Sequence, residues 1–302
     1  MFDFLEHPIE QESRPASQPV QGNVFVVSIG GSLIIDENGP NTEKIMAIAG
    51  TISSLHSQGK KFVLVVGGGR TARSYVGAMR DLGANNFMQD LAGINVTRVN
   101  AMLVANAIPN AHKVVLDDFS RAQEILDAGK IPVFGGHIPF FTTDSVGALI
   151  AESLNGTFVN LTNVDGIYDS NPAVNAEAKR FDEIGYQRLV QLIMQGGSVP
   201  GQNVVLDLAC CMILQRSRIP AVVLNGNNLQ NFSDYLDGGT FIGTSIRDIG
   251  SEGGAGQAQL PDSGATSGET DVIIPKKRKV GRKVAVRRQG AYYPPDPSQI
   301  DF

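Results

Sequence analysis

Cysteine occurs only twice in 302 residues, tryptophan not at all, and no apolar run approaches the roughly 18 residues of a membrane span. The two cysteines, Cys210 and Cys211, are adjacent. Neighbouring residues meet disulfide geometry poorly, and no CxxC or Cys/His spacing suggests zinc. A disulfide scaffold is excluded and a reducing, cytoplasmic setting is expected. The histidines His7, His56, His112 and His137 form no HxxxH or HExxH pair, so no resident metal is expected. No basic segment leads into an apolar run at the N-terminus, so export is not expected. Charged residues make up 18% and apolar ones 42%, which excludes a chain that is disordered or collagen-like throughout.

The net charge of -5 hides a division. Eight of the 25 Lys and Arg and three of the 30 Asp and Glu fall in 271–302, which leaves 17 basic and 27 acidic residues for 1–270. Between body and tail, residues 250–270 hold six glycines and one large apolar residue, Leu260, a composition with nothing to bury. The expected organisation is a flexible N-terminal arm (1–22), an αβα domain (23–247), a Gly/Ser-rich linker (248–271) and a disordered, basic C-terminal tail (272–302).

Within the body, short β-branched runs at 24–29, 62–66, 113–116, 131–134, 157–161 and 220–224 read as six buried strands. Ile45, Ile48, Ile52 and Leu55 recur at helical spacing, as do Leu91, Ile94, Met102 and Leu103. Alternation of this kind predicts an α/β fold, a largely parallel sheet covered by helices on both faces. Ligands of such sheets bind at the carboxyl ends of the strands.

The first strand ends in Gly30-Gly31-Ser32 and the second in Gly67-Gly68-Gly69-Arg70-Thr71-Ala72-Arg73. Glycine lets backbone N–H groups approach an anion, and a following helix adds its dipole, so both turns suit phosphates. A Walker P-loop is absent, since Gly59-Lys60 and Gly129-Lys130 lack the upstream glycine and the following hydroxyl. Gly67, Gly69 and Ala72 satisfy GxGxxA, with Asp90 about 20 residues on, which is a dinucleotide-binding spacing. The ribose-binding acid of that motif ends a strand, whereas Asp90 opens a run of helical spacing, so a dehydrogenase is disfavoured. A third segment, Gly135 to Asp144, follows a strand with hydroxyls and a carboxylate; Thr142 and Thr143 suit a phosphate and Asp144 suits a helix N-cap. A fourth, Thr162 to Pro172, offers Tyr168 to flank a nucleobase or is turn chemistry alone.

Taken in order, GGS, GGGxxAR, DxxGIxxTRxNA, PxxTTD and TNVDGIY resemble the amino-acid-kinase fold superfamily, and within it the archaeal type of uridylate (UMP) kinase. The resemblance spans 23–247. It implies a three-layer αβα sandwich, a homohexamer, and transfer of the γ-phosphoryl group of ATP, brought with Mg²⁺, to UMP to give UDP for pyrimidine nucleotide synthesis. By motif it implies that Gly30, Gly31, Ser32, Gly69, Arg73, Thr162, Asn163, Tyr168 and Asn171 bind ATP. Gly68, Asp90 and the loop His137, Ile138, Pro139, Phe140, Phe141, Thr142 and Thr143 would bind UMP. Arg73, Asp144 and Asp165 would be catalytic, with Asp165 the Mg²⁺-nucleotide or lysine-orienting carboxylate, and Asp207 stands at a further acidic position of the relatives. No protein-held metal is implied.

Three departures bear on chemistry. Much of the superfamily begins with Lys-x-Gly-Gly, where this chain has Ser28; Asn171 replaces an Asp, and Met212 stands where many archaeal relatives carry Lys. Charge neutralisation then falls to Mg²⁺, Arg73 and backbone donors. A non-catalytic nucleotide- or oxyanion-storage member of the fold is the alternative reading. Isopentenyl phosphate kinases, with a histidine in the second glycine turn, and carboxylate kinases, which keep the first lysine, fit less well. In the tail, 275–288 packs eight cations and no acid, including PKKRKV, a nuclear import hexapeptide. The expectation is a nonspecific contact with nucleic acid or an acidic surface. Import is not expected, because eukaryotic UMP kinases resemble a P-loop family.

Overall fold

The computed structural model describes residues 24–196 and 205–249. The N-terminal arm, all but the first two residues of the linker, and the tail with its basic stretch lie outside the described residues.

The elements run β1 (Val24–Ile29), β2 (Ile35–Asp36), β3 (Gly39–Pro40), α1 (Thr42–Ser57), β4 (Lys61–Val66), α2 (Gly69–Asp81), α3 (Asn86–Ala107), α4 (Arg121–Asp127), β5 (Val133–Phe134), α5 (Thr143–Leu154), β6 (Thr157–Thr162), β7 (Glu183–Gly185), α6 (Tyr186–Gly196), α7 (Leu208–Ser217), β8 (Ala221–Asn225), α8 (Leu229–Leu236) and β9 (Thr244–Arg247). Seven strands form one sheet in the order β5-β4-β1-β6-β8-β9-β7, while β2 and β3 make a separate hairpin. All neighbours in the large sheet are parallel except β8 and β9.

Strand periodicity divides the core into two layers. Val26, Val65, Phe158 and Val223 pack on the side of α4 to α7, and Val27, Leu64, Val159 and Leu224 on the side of α1, α3 and α8. The result is the expected αβα sandwich. Polar side chains set the helix starts: Asn41 accepts from the N–H of Lys44, Asn85 from that of Met88, and Asn228 from that of Asn231.

Five of the six expected strands form, although the run at 131–134 contributes only β5. Residues 113–116 make only an isolated bridge, at Leu116 to Phe134. Val114 is 63% exposed, so this run lacks the two buried faces of an inner strand. The Lys113 ammonium instead caps the end of α3, donating to the carbonyls of Ala105 and Ile108, each at 2.8 Å. The short strands β7 and β9 carry too few apolar residues to stand out as a sequence pattern.

Candidate active site

β1 has β4 on one side and β6 on the other, so successive connections leave it in opposite directions and open a crevice at its carboxyl end. There the two glycine turns lie against each other. A Cβ at Gly31 would collide with the Gly69 backbone, and Gly69 itself has φ +63°. The glycines therefore serve close backbone approach as well as any anion. Gly68 at the N-cap of α2 has no side chain to cap it, which leaves first-turn N–H groups at the turn without a side-chain cap among the described residues. Asn100, 3% exposed on α3, fastens the turn by donating to the carbonyls of Gly67 (2.9 Å) and Gly68 (3.2 Å).

Beside the turns is a cleft of about 310 Å³. It brings together Gly68, Gly69, Arg73, Asp90, Phe140, Phe141, Thr142 and Thr143, which are distant in sequence. Asp90 Oδ2 accepts the Phe140 N–H at 2.9 Å and holds that residue at φ +78°, a left-handed conformation costly for an aromatic side chain. The Phe140 ring is 83% exposed at the rim. The same loop is anchored at its start, where Thr97 Oγ1 accepts the Gly136 N–H at 2.6 Å and Arg98 Nε donates to the Gly136 carbonyl at 3.3 Å. His137, Ile138 and Pro139 do not line the cleft; the His137 ring packs on Phe119 with centroids 4.5 Å apart.

Asp144 is not the N-cap that its position suggested. Thr142 caps α5, accepting from the N–H of Ser145 at 3.2 Å, because Asp144 lies two residues further on and projects toward the sheet. There Ser28 Oγ at the end of β1 and Asn160 Nδ2 on β6 both donate to its Oδ1, at 2.6 and 2.8 Å. Ser28 and Asn160 are direct partners across the parallel pair β1/β6 and are 1% and 3% exposed. Burial pushes the Asp144 carboxyl up to about 6; the Ser28 hydrogen bond opposes this, the Asp207 charge adds to it, and Asn160 opposes it. Asp207 N-caps α7 and collects its own donors: the Cys210 N–H at 3.0 Å, Ser145 Oγ at 2.7 Å, and Thr142 Oγ1. Behind the pair, burial holds the Cys210 thiol well above its usual range and pushes Cys211 up to about 12, so both stay protonated.

The residues expected to hold ATP fall into two places. Gly30, Gly31 and Ser32 stand at the crevice, with the Gly30 N–H bound to Leu161 of β6 at 2.8 Å. Tyr168 and Asn171 instead line a mostly apolar cavity of about 110 Å³ with Ile167, Leu189, Ile193 and Leu206. Thr162 ends β6 and Asn163 follows it, and Asp165 accepts from Asn225 Nδ2 at 2.8 Å rather than joining Asp144. Met212, on α7, is 54% exposed. Among the described residues no three His, Cys, Asp or Glu side chains gather to hold a metal, and no helix is long and apolar enough to cross a membrane.

Thr97, Asn100 and Asn160 were not singled out by sequence reasoning. The first two sit in the TRxNA string, whose helical spacing puts both toward the glycine turns. Asn160 gave no signal beyond being polar in an apolar strand.

The sequence profile described as the amino acid kinase family matches residues 23–225. The chain is 42% identical over 202 residues to a uridylate kinase of Archaeoglobus fulgidus, covering 67% of this chain and 90% of that protein. It is 38% identical over 222 residues to a uridylate kinase of Methanocaldococcus jannaschii, covering 72% and 98%. The crystal structure of the Archaeoglobus fulgidus uridylate kinase superposes with a TM-score of 0.65 at 39% identity, covering 74% of this chain and 99% of that one.

Proposed function

The chain belongs to the amino acid kinase family and, within it, to the uridylate kinases, and from that premise we propose how it acts: it passes the γ-phosphoryl group of Mg·ATP to UMP, giving UDP and ADP. The observation that carries this reading is the convergence of Arg73, Asp90 and the Phe140–Thr143 loop on one cleft beside two apposed glycine turns.

In the reaction, a phosphate oxygen of UMP bonds to the γ-phosphorus as the bond to the β,γ-bridging oxygen of ATP breaks, and ADP leaves. The second pKa of a phosphate monoester is about 6, so near neutral pH the attacking oxygen has no proton to lose and needs no general base. What remains is positioning and charge. Gly31, Ser32 and Gly69 present backbone donors to the ATP phosphates, Gly30 shapes the turn with its own N–H bound to Leu161, and Arg73 at the cleft wall supplies a cation. Thr162, Asn163, Tyr168 and Asn171 serve the nucleoside end of ATP, where the apolar cavity suits a base. Gly68, Asp90 and Phe140 to Thr143 enclose UMP, with His137 to Pro139 carrying that loop from outside the cleft and Asp90 holding Phe140 in its strained form. Asp144 and Asp165 are the carboxylates facing the phosphates, and Mg²⁺ enters with ATP as part of the substrate.

A homohexamer is supported by the exposed apolar row on α3, where Val99 is 58% and Met102 59% exposed; sedimentation of the full chain tests it. The free, buried thiols of Cys210 and Cys211 favour a reducing, cytoplasmic setting. The basic stretch 275–288 is read, on charge alone, as a nonspecific contact for nucleic acid or an acidic surface.

The decisive experiment is ADP release with Mg·ATP across UMP, CMP, dTMP, AMP and isopentenyl phosphate. Selective turnover of UMP is expected; nucleotide binding without turnover overturns the kinase reading in favour of storage.

A further inference from the structure

Position 28 is where much of the fold superfamily carries a lysine, and the structure shows what this chain puts there. The Ser28 hydroxyl and the Asn160 amide, opposite each other on β1 and β6, converge on a single oxygen of Asp144 at 2.6 and 2.8 Å. The other oxygen, Oδ2, has no hydrogen-bond partner among the described residues, and the residue keeps a partly exposed surface at the crevice. Asp207 is held differently, with both oxygens engaged: Oδ2 accepts from Thr142, and Oδ1 from Ser145 and the Cys210 N–H.

We propose that Ser28 and Asn160 are positioning residues for phosphoryl transfer: by pinning Oδ1 of Asp144 they hold its ionised carboxylate with Oδ2 turned to the substrates, in place of a lysine at 28. This inference rests on the kinase reading above. Neutral donors hold a carboxylate in place as a cation does, but neutralise nothing. Among the described residues, the groups that face Asp144 are Ser28 from β1, Asn160 from β6, and Asp207, Cys210 and Cys211 from α7, and none of these is a cation. With the carboxyl already pushed up to about 6, loss of either donor makes ionisation harder still. The two donors therefore set where activity fails on the acid side.

The test compares kcat against pH for the full-length wild type, Ser28→Ala and Ser28→Thr, with the Asp144 carboxyl titration followed by carbon NMR without nucleotides. Ser28→Ala removes only a hydroxyl from a site that is 1% exposed, so the packing changes little. The expected result is an upward move of about one pH unit in both the carboxyl titration and the acid limb of kcat, a rate loss of roughly ten-fold below the limb. Ser28→Thr, which keeps the donor, should restore both. Wild-type turnover with a limb unmoved in Ser28→Ala overturns the proposal alone, whether or not the carboxyl titration moves. Absence of wild-type turnover with every phosphoryl acceptor overturns the kinase reading and this proposal with it.

Discussion

Replacing Asp144 with Asn should make the protein more stable near neutral pH and no more stable in acid. In the folded chain the Asp144 carboxyl is pushed from 3.8 to about 6, chiefly by burial. The native state thus holds this proton more tightly than the unfolded chain does. Its favourable contribution is complete below about 3.8 and is lost as pH rises through 6, after which ionisation in the crevice carries a constant cost. A shift of about two pH units, at 1.36 kcal/mol each, is about 3 kcal/mol. For a domain of this size, 1 kcal/mol moves Tm by about 2–4 °C, so Asp144→Asn should melt about 6–12 °C higher at pH 7.5 and within about 2 °C of wild type at pH 4. Asn keeps Oδ1 as the acceptor for Ser28 and Asn160, so packing is preserved. Differential scanning calorimetry at the two pH values gives the answer. A Tm difference independent of pH, or a variant less stable at pH 7.5, refutes the reasoning. The same variant should turn over poorly, a stability cost retained for function.

Asp90→Ala frees the Phe140 N–H and lets the loop leave its left-handed conformation, so KM for UMP should rise about ten-fold or more while KM for ATP stays within two-fold; steady-state kinetics with each substrate varied separately reads the split. If the basic stretch 275–288 contacts an anionic polymer, the full chain should be retained on RNA or DNA at low salt and released as salt rises, whereas a chain ending at residue 249 should pass through; equal retention of the two would remove that reading.

How much of this was legible beforehand varies element by element. Strands β1, β4, β6 and β8 announced themselves because each is buried on both faces, which demands an uninterrupted apolar run whatever surrounds it. The run at 113–116 misled for the converse reason: its β-branched composition was that of a strand, while its place at the edge of β5 left Val114 in solvent and Lys113 bound to the end of α3. Both glycine turns could be located from the chain order of strand, glycines and helix. That Gly31 and Gly69 touch could not, because the contact joins the turns beyond two different strands.

The sequence by itself determined the αβα class, the crevice at the strand ends and the family, since these follow from local periodicity and from short motifs whose order survives in one dimension. Only the tertiary structure decided what each polar residue does there. Thr142 rather than Asp144 caps α5, His137 to Pro139 stand away from the cleft while Phe140 to Thr143 line it, and Asp165 pairs with Asn225 rather than joining Asp144. The physical reason is the same in each case: a hydrogen bond or a burial cost depends on which distant groups the fold brings within about 3 Å, and a side-chain hydrogen bond across 116 positions of chain, as from Ser28 on β1 to Asp144 on α5, leaves no trace in local sequence.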